Sequence, residues 1–212
     1  IDRSPIQFSE GNHSRLRPGD IKYRDLNGDG VIDDYDKMPV GFCDIPEITY
    51  GFGGAIEWKG FDVSIFFQGT ARVSIFEEGS AVVPFSSGYK NNNGFLKGVM
   101  EDRWTVDNPN PNARYPRTIR PSDALDNNNT KKSSFWVRNA AYLRLKNAEI
   151  GYTFPKRWME KMAIQNLRLY VSGVNLLTWA PDVRLFDPEL GSGDGRKYPP
   201  TRVFNVGLNI NF

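Results

Sequence analysis

An all-β chain is what the sequence predicts, its strands those of a large antiparallel transmembrane barrel. Three observations carry that expectation: a closing segment of strict two-residue alternation, the same alternation in four earlier segments, and connections that run short, long, short, long. In the closing segment Phe204, Val206, Leu208, Ile210 and Phe212 fall on one parity, and Asn205, Gly207, Asn209 and Asn211 on the other. A strand has a two-residue side-chain period, so one face is wholly apolar and the other wholly polar. About eleven residues of such a strand, at about 3.3 Å each and a tilt of about 45°, rise roughly 26 Å, the height of an outer-membrane barrel's apolar band. A terminal aromatic after it is the sequence habit of outer-membrane barrels.

The earlier strands follow in order. Ile48, Tyr50, Phe52, Ile56 and Trp58 alternate with Thr49, Gly51, Gly53, Ala55 and Glu57. Lys59-Gly60 then reads as a tight hairpin turn into Phe61, Val63, Ile65 and Phe67, which alternate with Asp62, Ser64, Phe66 and Gln68. Leu143 and Leu145 begin a third strand that resumes at Ala148, Ile150, Tyr152 and Phe154, and the slip of parity near Asn147 predicts a bulge. Leu167, Leu169, Val171 and Gly173 form the fourth strand, Arg168, Tyr170, Ser172 and Val174 its other face.

Between them, Lys59-Gly60 and the stretch Pro155 to Asn166 are short, the latter with a helical turn expected around Trp158, Met159 and Met162. The stretches 70–140 and 178–201 are long and rich in Gly, Pro, Asn and charge. Tight turns at one end and large loops at the other are the outer-membrane pattern. Trp58, Phe61, Tyr152, Phe154 and Trp158 collect at the short-turn end, where an interfacial aromatic girdle belongs. Within the first long loop, Leu96, Val99, Met100 and Arg103 have helical spacing, so a short helix is expected between Gly94 and Thr105.

Composition narrows the class. No run of about 18 apolar residues occurs, which excludes a helical membrane protein. Barrel strands turn half their residues to water or to the lumen, so a polar mean hydropathy is no objection to a barrel. A net charge of +2 is too small to imply a nucleic-acid partner. Cys43 is the single cysteine, so no intrachain disulfide can form. Ile1-Asp2-Arg3-Ser4-Pro5 reads as the middle of a loop rather than a leader, and the expectation is a C-terminal portion of something longer. Five strands cannot close a membrane barrel, which needs at least about eight.

The sharpest local motif is Asp25-Leu26-Asn27-Gly28-Asp29-Gly30-Val31-Ile32-Asp33-Asp34-Tyr35-Asp36. Oxygen-bearing side chains at the first, third, fifth and twelfth positions, with Gly at the sixth and an apolar residue at the eighth, match a calcium loop of EF-hand type. The candidate Ca²⁺ ligands are Asp25, Asn27, Asp29, the Val31 carbonyl, Asp33 and Asp36. Two readings stand here: a structural cation, or a solvated acidic turn held by side-chain to backbone hydrogen bonds. Helical flanks are missing.

No catalytic set presents itself, and the chain is expected not to be an enzyme. His13 is the only histidine and lies in a polar stretch. With one His and one Cys, thiol catalysis and His-rich zinc sites are improbable. The Gly-rich stretches 51–54 and 191–195 lack the strand-to-helix frame of a phosphate loop.

These segments together carry a resemblance. Pro18-Gly19-Asp20-Ile21-Lys22-Tyr23 leads into the calcium-type turn, and Thr49-Tyr50-Gly51-Phe52, Trp58-Lys59-Gly60-Phe61-Asp62 and Phe66-Phe67-Gln68-Gly69 follow. Then come Arg103-Trp104-Thr105, Tyr115-Pro116-Arg117, Phe135-Trp136, Asn139 through Asn147, Gly151-Tyr152-Thr153-Phe154-Pro155, Leu169 through Gly173, Asn175-Leu176-Leu177-Thr178, Asp187-Pro188-Glu189 and the closing strand. In this order and spacing the chain resembles the C-terminal end of SusC/RagA-type TonB-dependent outer-membrane transporters of Bacteroidetes, over nearly all its length. The resemblance implies a barrel of about 22 strands around an N-terminal plug, in the outer membrane of a Gram-negative bacterium. It implies a SusD-like surface lipoprotein as partner, and energy delivered by the TonB complex through a part of the receptor outside these residues. Glycans, or in some members peptides, are the substrates it implies. Residues 1–46 would form an extracellular loop carrying the calcium-type turn. Residues 47–212 would hold the last five strands, with extracellular loops 70–140 and 178–201. Arg103, Trp104, Tyr115 and Arg117 are then candidate contacts to substrate or partner.

Two other readings compete. A secreted β-sandwich that binds glycans, with a calcium loop at one edge, would bury the apolar parity between two sheets. A glycosidase domain would need a pair of carboxylates that no spacing singles out.

Overall fold

The computed structural model describes residues 6–7, 16–79, 82, 96–118, 128–159, 164–193 and 195–212. His13, Gly94 and Met162 lie outside the described residues. The strands, in chain order, are β1 (Ile6–Gln7), β2 (Val31–Ile32), β3 (Ile48–Trp58), β4 (Phe61–Ala71), β5 (Ser74–Phe76), β6 (Val137–Asn139), β7 (Tyr142–Thr153), β8 (Asn166–Trp179) and β9 (Val203–Asn211). Helices α1 (Lys97–Glu101) and α2 (Lys156–Met159) are short.

Five of these strands form one antiparallel sheet in the order β3-β4-β7-β8-β9. Each element arises where the alternation places it. The β3–β4 hairpin turns at Lys59 and Gly60, with φ of 49° and 89°, the pair of left-handed residues a type I′ turn requires. Glycine at the second position adopts this without the Cβ penalty, and its carbonyl accepts the Thr153 N–H at 2.7 Å.

The bulge expected near Asn147 is present. Pairing runs Leu145↔Leu177 and then Asn147↔Val174, so the register slips between them, and Asn175 takes a φ of 55°. That slip also explains why β8 runs on to Trp179, past the end of its readable alternation at Val174. The backbone ladder continues while the side-chain parity changes. Helix α1 is shorter than the spacing suggests. Leu96 at its N-cap supplies no side-chain cap, and Gly98 sits in its first turn.

The apolar face of the sheet is open. On β9, Phe204 is 68% and Val206 75% exposed, and Phe52, Ile56 and Trp58 on β3 are exposed as well. Burying one such side chain contributes about 1.5–3 kcal/mol, so an apolar face of this extent left in water would forfeit much of a domain's stability. A sandwich would cover it with a second sheet, and none of the described residues do so. The sheet has the form of a length of barrel wall with one apolar face. Four of the five aromatics at the short-turn end are in a chain of ring contacts: centroids are 4.6 Å apart for Phe61 and Tyr152, 5.1 Å for Tyr152 and Phe154, and 6.3 Å for Phe154 and Trp158.

The chain divides into two compact units: 1–41, 75–138 and 192–196 in one, and 42–74, 139–191 and 197–212 in the other. The second unit contains the wall. The first gathers the calcium-type turn and most of the first long loop, and has an interior of its own. Ile21, Ile32, Ile75, Val82, Val99, Tyr115 and Trp136 are its buried apolar side chains, with Glu77, Asn128, Asn129 and Arg138 buried among its polar ones.

Candidate functional site

Inside the first unit the interior is built around polar side chains. Glu77 is fully buried. Its Oε2 accepts from Arg138 Nε at 2.8 Å, its Oε1 lies 3.6 Å from Arg114, and the Tyr115 hydroxyl is 3.5 Å from Oε2. Burial pushes the Glu77 carboxyl above its ordinary value, and the Arg138 and Arg114 charges pull it back only in part. Burial likewise raises the Tyr115 phenol, with the Glu77 charge adding to it.

A second cluster ties the start of the described chain to the far side of the first long loop. Asn129 Oδ1 accepts the Ile21 N–H at 2.9 Å, while its Nδ2 donates to Asp20 Oδ1 at 2.8 Å. Asn128 Nδ2 donates to the Ile21 carbonyl at 2.9 Å, and the Tyr23 hydroxyl donates to the Asn128 carbonyl at 2.7 Å. Burial pushes the Tyr23 phenol up to about 12. Trp136 Nε1 donates to the Asn129 carbonyl at 3.1 Å. Two adjacent asparagines thus hold both backbone groups of Ile21, as a neighbouring strand would.

The four candidate contact residues are brought together here, in different roles. Arg103 and Tyr115 form a parallel bridge, with Trp104 N–H on the Tyr115 carbonyl at 2.9 Å. Tyr115 is buried in the interior. Arg117 pairs with Asp20 through Nε at 2.6 Å and Nη2 at 2.9 Å, and its N–H donates to the Gly19 carbonyl. The Trp104 ring lies against Gly19, and the Arg103 guanidinium against the Met100 sulfur. Arg103 and Trp104 keep part of their surface open. Beside the Glu77 cluster a cleft of about 200 Å³ is lined by Phe76, Glu78, Thr130, Lys132 and Trp136. Neither the buried Glu77 cluster nor the Asn128–Asn129 clamp has a local sequence signal, because each joins residues far apart in the chain.

The calcium-type turn closes on itself. Asp36 Oδ1 accepts the Leu26 N–H at 2.7 Å, bringing the twelfth position against the second. Asp25 accepts from the Gly28 and Gly30 N–H groups at 2.6 and 2.9 Å, Asn27 Oδ1 from Asp29 N–H at 3.0 Å, and Asp29 Oδ1 from Val31 N–H at 2.8 Å. Asp33 caps the following 3₁₀ turn through the Tyr35 N–H, within a reciprocal capping box with Asp36. Backbone N–H groups, that of Asp33 first, hold the Asp36 carboxyl below its ordinary value. The side chains therefore aim at the turn's own backbone. As they lie, no three acidic, histidine or cysteine side chains among the described residues converge to hold a metal ion.

On the wall's polar face Arg168 pairs with Asp62 and, at 2.6 Å, with Glu149, joining three strands near the short turns.

Comparison with known proteins shows what the chain is similar to. No family model matches the chain. A TonB-dependent receptor of Formosa agariphila is 32% identical over 208 residues, which is 92% of this chain and 20% of that receptor. The chain's homologues are TonB-dependent receptors. The TonB-dependent receptor SusC of Bacteroides thetaiotaomicron is one of them, 24% identical over 92% of this chain. This chain spans 20% and 18% of the lengths of these two receptors. In structure it is similar to the RagAB peptide transporter, with a TM-score of 0.59 and 23% identity over 81% of this chain and 18% of that one. The RagAB peptide importer in its closed-closed state gives 0.61 over 82% of this chain and 18% of that one, again at 23% identity. At that identity the likeness establishes the fold: barrel wall with its connecting loops.

Proposed function

We propose that this chain supplies wall strands and outer loops to an outer-membrane TonB-dependent importer, which takes up oligosaccharides or peptides with a SusD-like surface lipoprotein. One observation carries the reading. The five-stranded sheet leaves an apolar face exposed from Phe204 to Phe212, and its edges β3 and β9 are unpaired among the described residues. Lipid against that face and further strands at those edges supply what a water-filled surrounding cannot. The names of the relatives support uptake as the activity: SusC on one side, a peptide transporter on the other. On this reading the substrate passes unchanged, TonB delivers the energy, and Arg103 and Trp104 are the loop residues open to substrate or lipoprotein. Tyr115 supports them from within, and Arg117, also partly exposed, is fixed beside them by Asp20.

In the complete receptor the Asp25–Asp36 turn is proposed to take up a structural Ca²⁺. Its spacing supports this. Asp25, Asn27, Asp29, Asp33 and Asp36 would rotate off their backbone partners toward the ion, joined by the Val31 carbonyl.

Uptake of labelled oligosaccharides and peptides by cells with and without the complete receptor tests the main reading. Energy-dependent entry of one class, lost on deletion, is expected. Unchanged entry of both classes would contradict it.

A further inference from the structure

A second charged cluster lies in the wall unit, at the long-connection end of β7, and none of the roles above uses it. The Arg144 side chain is 1% exposed. Its Nη2 donates to both oxygens of Asp187, at 2.7 and 2.6 Å, and its Nη1 lies 3.4 Å from Glu189 Oε2. The Tyr142 hydroxyl, on the same strand, donates to Glu189 Oε1 at 2.6 Å, and its ring centroid lies 5.3 Å from the guanidinium. Both carboxylates belong to the segment 180–191 that leaves β8.

That segment is fastened along its length. Asp182 Oδ2 accepts the Asn139 N–H at 2.7 Å, Val183 and Pro188 are buried, and Lys197 Nζ donates to the Leu190 carbonyl at 2.6 Å. Asp187 also caps the 3₁₀ turn Pro188–Leu190 by accepting the Glu189 N–H at 3.0 Å. One carboxylate therefore shapes the segment and anchors it. We infer that Arg144 is a positioning residue that locks 180–191 as a strap against β7, so that this long connection meets its surroundings in one preset conformation.

The charges give the lock an asymmetry. A single guanidinium faces two carboxylates, so removing one carboxylate leaves Arg144 still paired. Removing Arg144 leaves Asp187 and Glu189 facing each other with no cation, which costs more than losing either bond. A lysine at this position keeps the charge but not the two separate nitrogens that reach Asp187 and Glu189.

Arg184 is exposed within the strap and offers a local readout. In the complete receptor, purified in detergent, limited trypsin digestion is followed by the mass of the fragment cut after Arg184. Heat-dependent mobility on SDS gels reports whether the barrel is folded. Arg144→Gln is expected to keep that mobility and to raise cleavage by about tenfold, since cleavage follows the open population. Asp187→Asn and Glu189→Gln should each have smaller effects, and Arg144→Lys should restore part of the protection. Should Arg144→Gln fail to fold, the double variant Asp187→Asn with Glu189→Gln removes the strap's side of the lock and is expected to raise cleavage likewise. A folded Arg144→Gln barrel cut at the parental rate, or an unaffected double variant, would overturn the inference.

Discussion

Tyr170 lies flat across Gly207, its partner in register on the neighbouring strand, on the polar face of the wall. A Cβ at position 207 would run into the Tyr170 ring. Gly207 therefore leaves room for a tyrosine whose ring also lies 5.0 Å from the Arg168 guanidinium. Gly207→Val is expected to destabilise the barrel by roughly 1–3 kcal/mol, the cost of overpacking a filled site. Urea titration of the complete receptor in detergent, read by heat-dependent mobility, measures it. Gly207→Val with Tyr170→Ala should recover part of the loss, because the clash is then gone.

Asn129 replaces a missing strand for Ile21. Asn129→Ala orphans a buried backbone N–H and is expected to cost roughly 1–3 kcal/mol. Hydrogen exchange at the Ile21 amide should accelerate, while the amides of β7 and β8 keep their protection. Equal acceleration in both places would show that the loop unit and the wall open together.

Glu77 gives the first unit a pH dependence of definite sign. Burial raises its folded value above the reference of 4.5. Its contribution is thus fully present below that reference and is lost as pH rises through the folded value. Arg138, Arg114 and Tyr115 are the charged or titratable groups facing it. Exchange protection around Ile75 and Tyr115 is expected to gain from Glu77 as pH is lowered from neutrality toward that reference. Glu77→Ala, which leaves two guanidinium groups without their anion, should cost roughly 1–3 kcal/mol at neutral pH and remove that gain.

Calcium separates the two ways of holding the Asp25–Asp36 turn. Under the proposal above, added Ca²⁺ slows exchange of the Leu26–Asp36 amides, chelation reverses it, and Asp25→Asn with Asp29→Asn abolishes it. Exchange unchanged by millimolar Ca²⁺ would leave the turn held by its hydrogen bonds alone.

The wall was legible because a membrane strand writes its environment into every second residue. Phe204 through Phe212 declare a face, and the slip at Asn147 declares a bulge, within a few neighbouring positions. The loop unit is different. Asp20 meets Arg117 across 97 residues and Ile21 meets Asn129 across 108, so no local period records either contact. Tyr115 shows the consequence. Its sequence context marks it as a contact residue, yet its ring is enclosed and it forms part of the interior. Arg144 and Asp187 were both visible in the segments that carry the resemblance, but their pairing depends on a strap folding back over β7.

The central claim is that lipid covers the greasy side of β9. In the complete receptor, Cys43, the exposed native thiol, is first replaced by serine. Single cysteines are then placed at Val206 and Asn205 and labelled in membranes. Position 206 is expected to react with a lipid-phase reagent and position 205 with an aqueous one. Position 206 shielded from both reagents, or open to the aqueous one alone, would contradict a membrane wall.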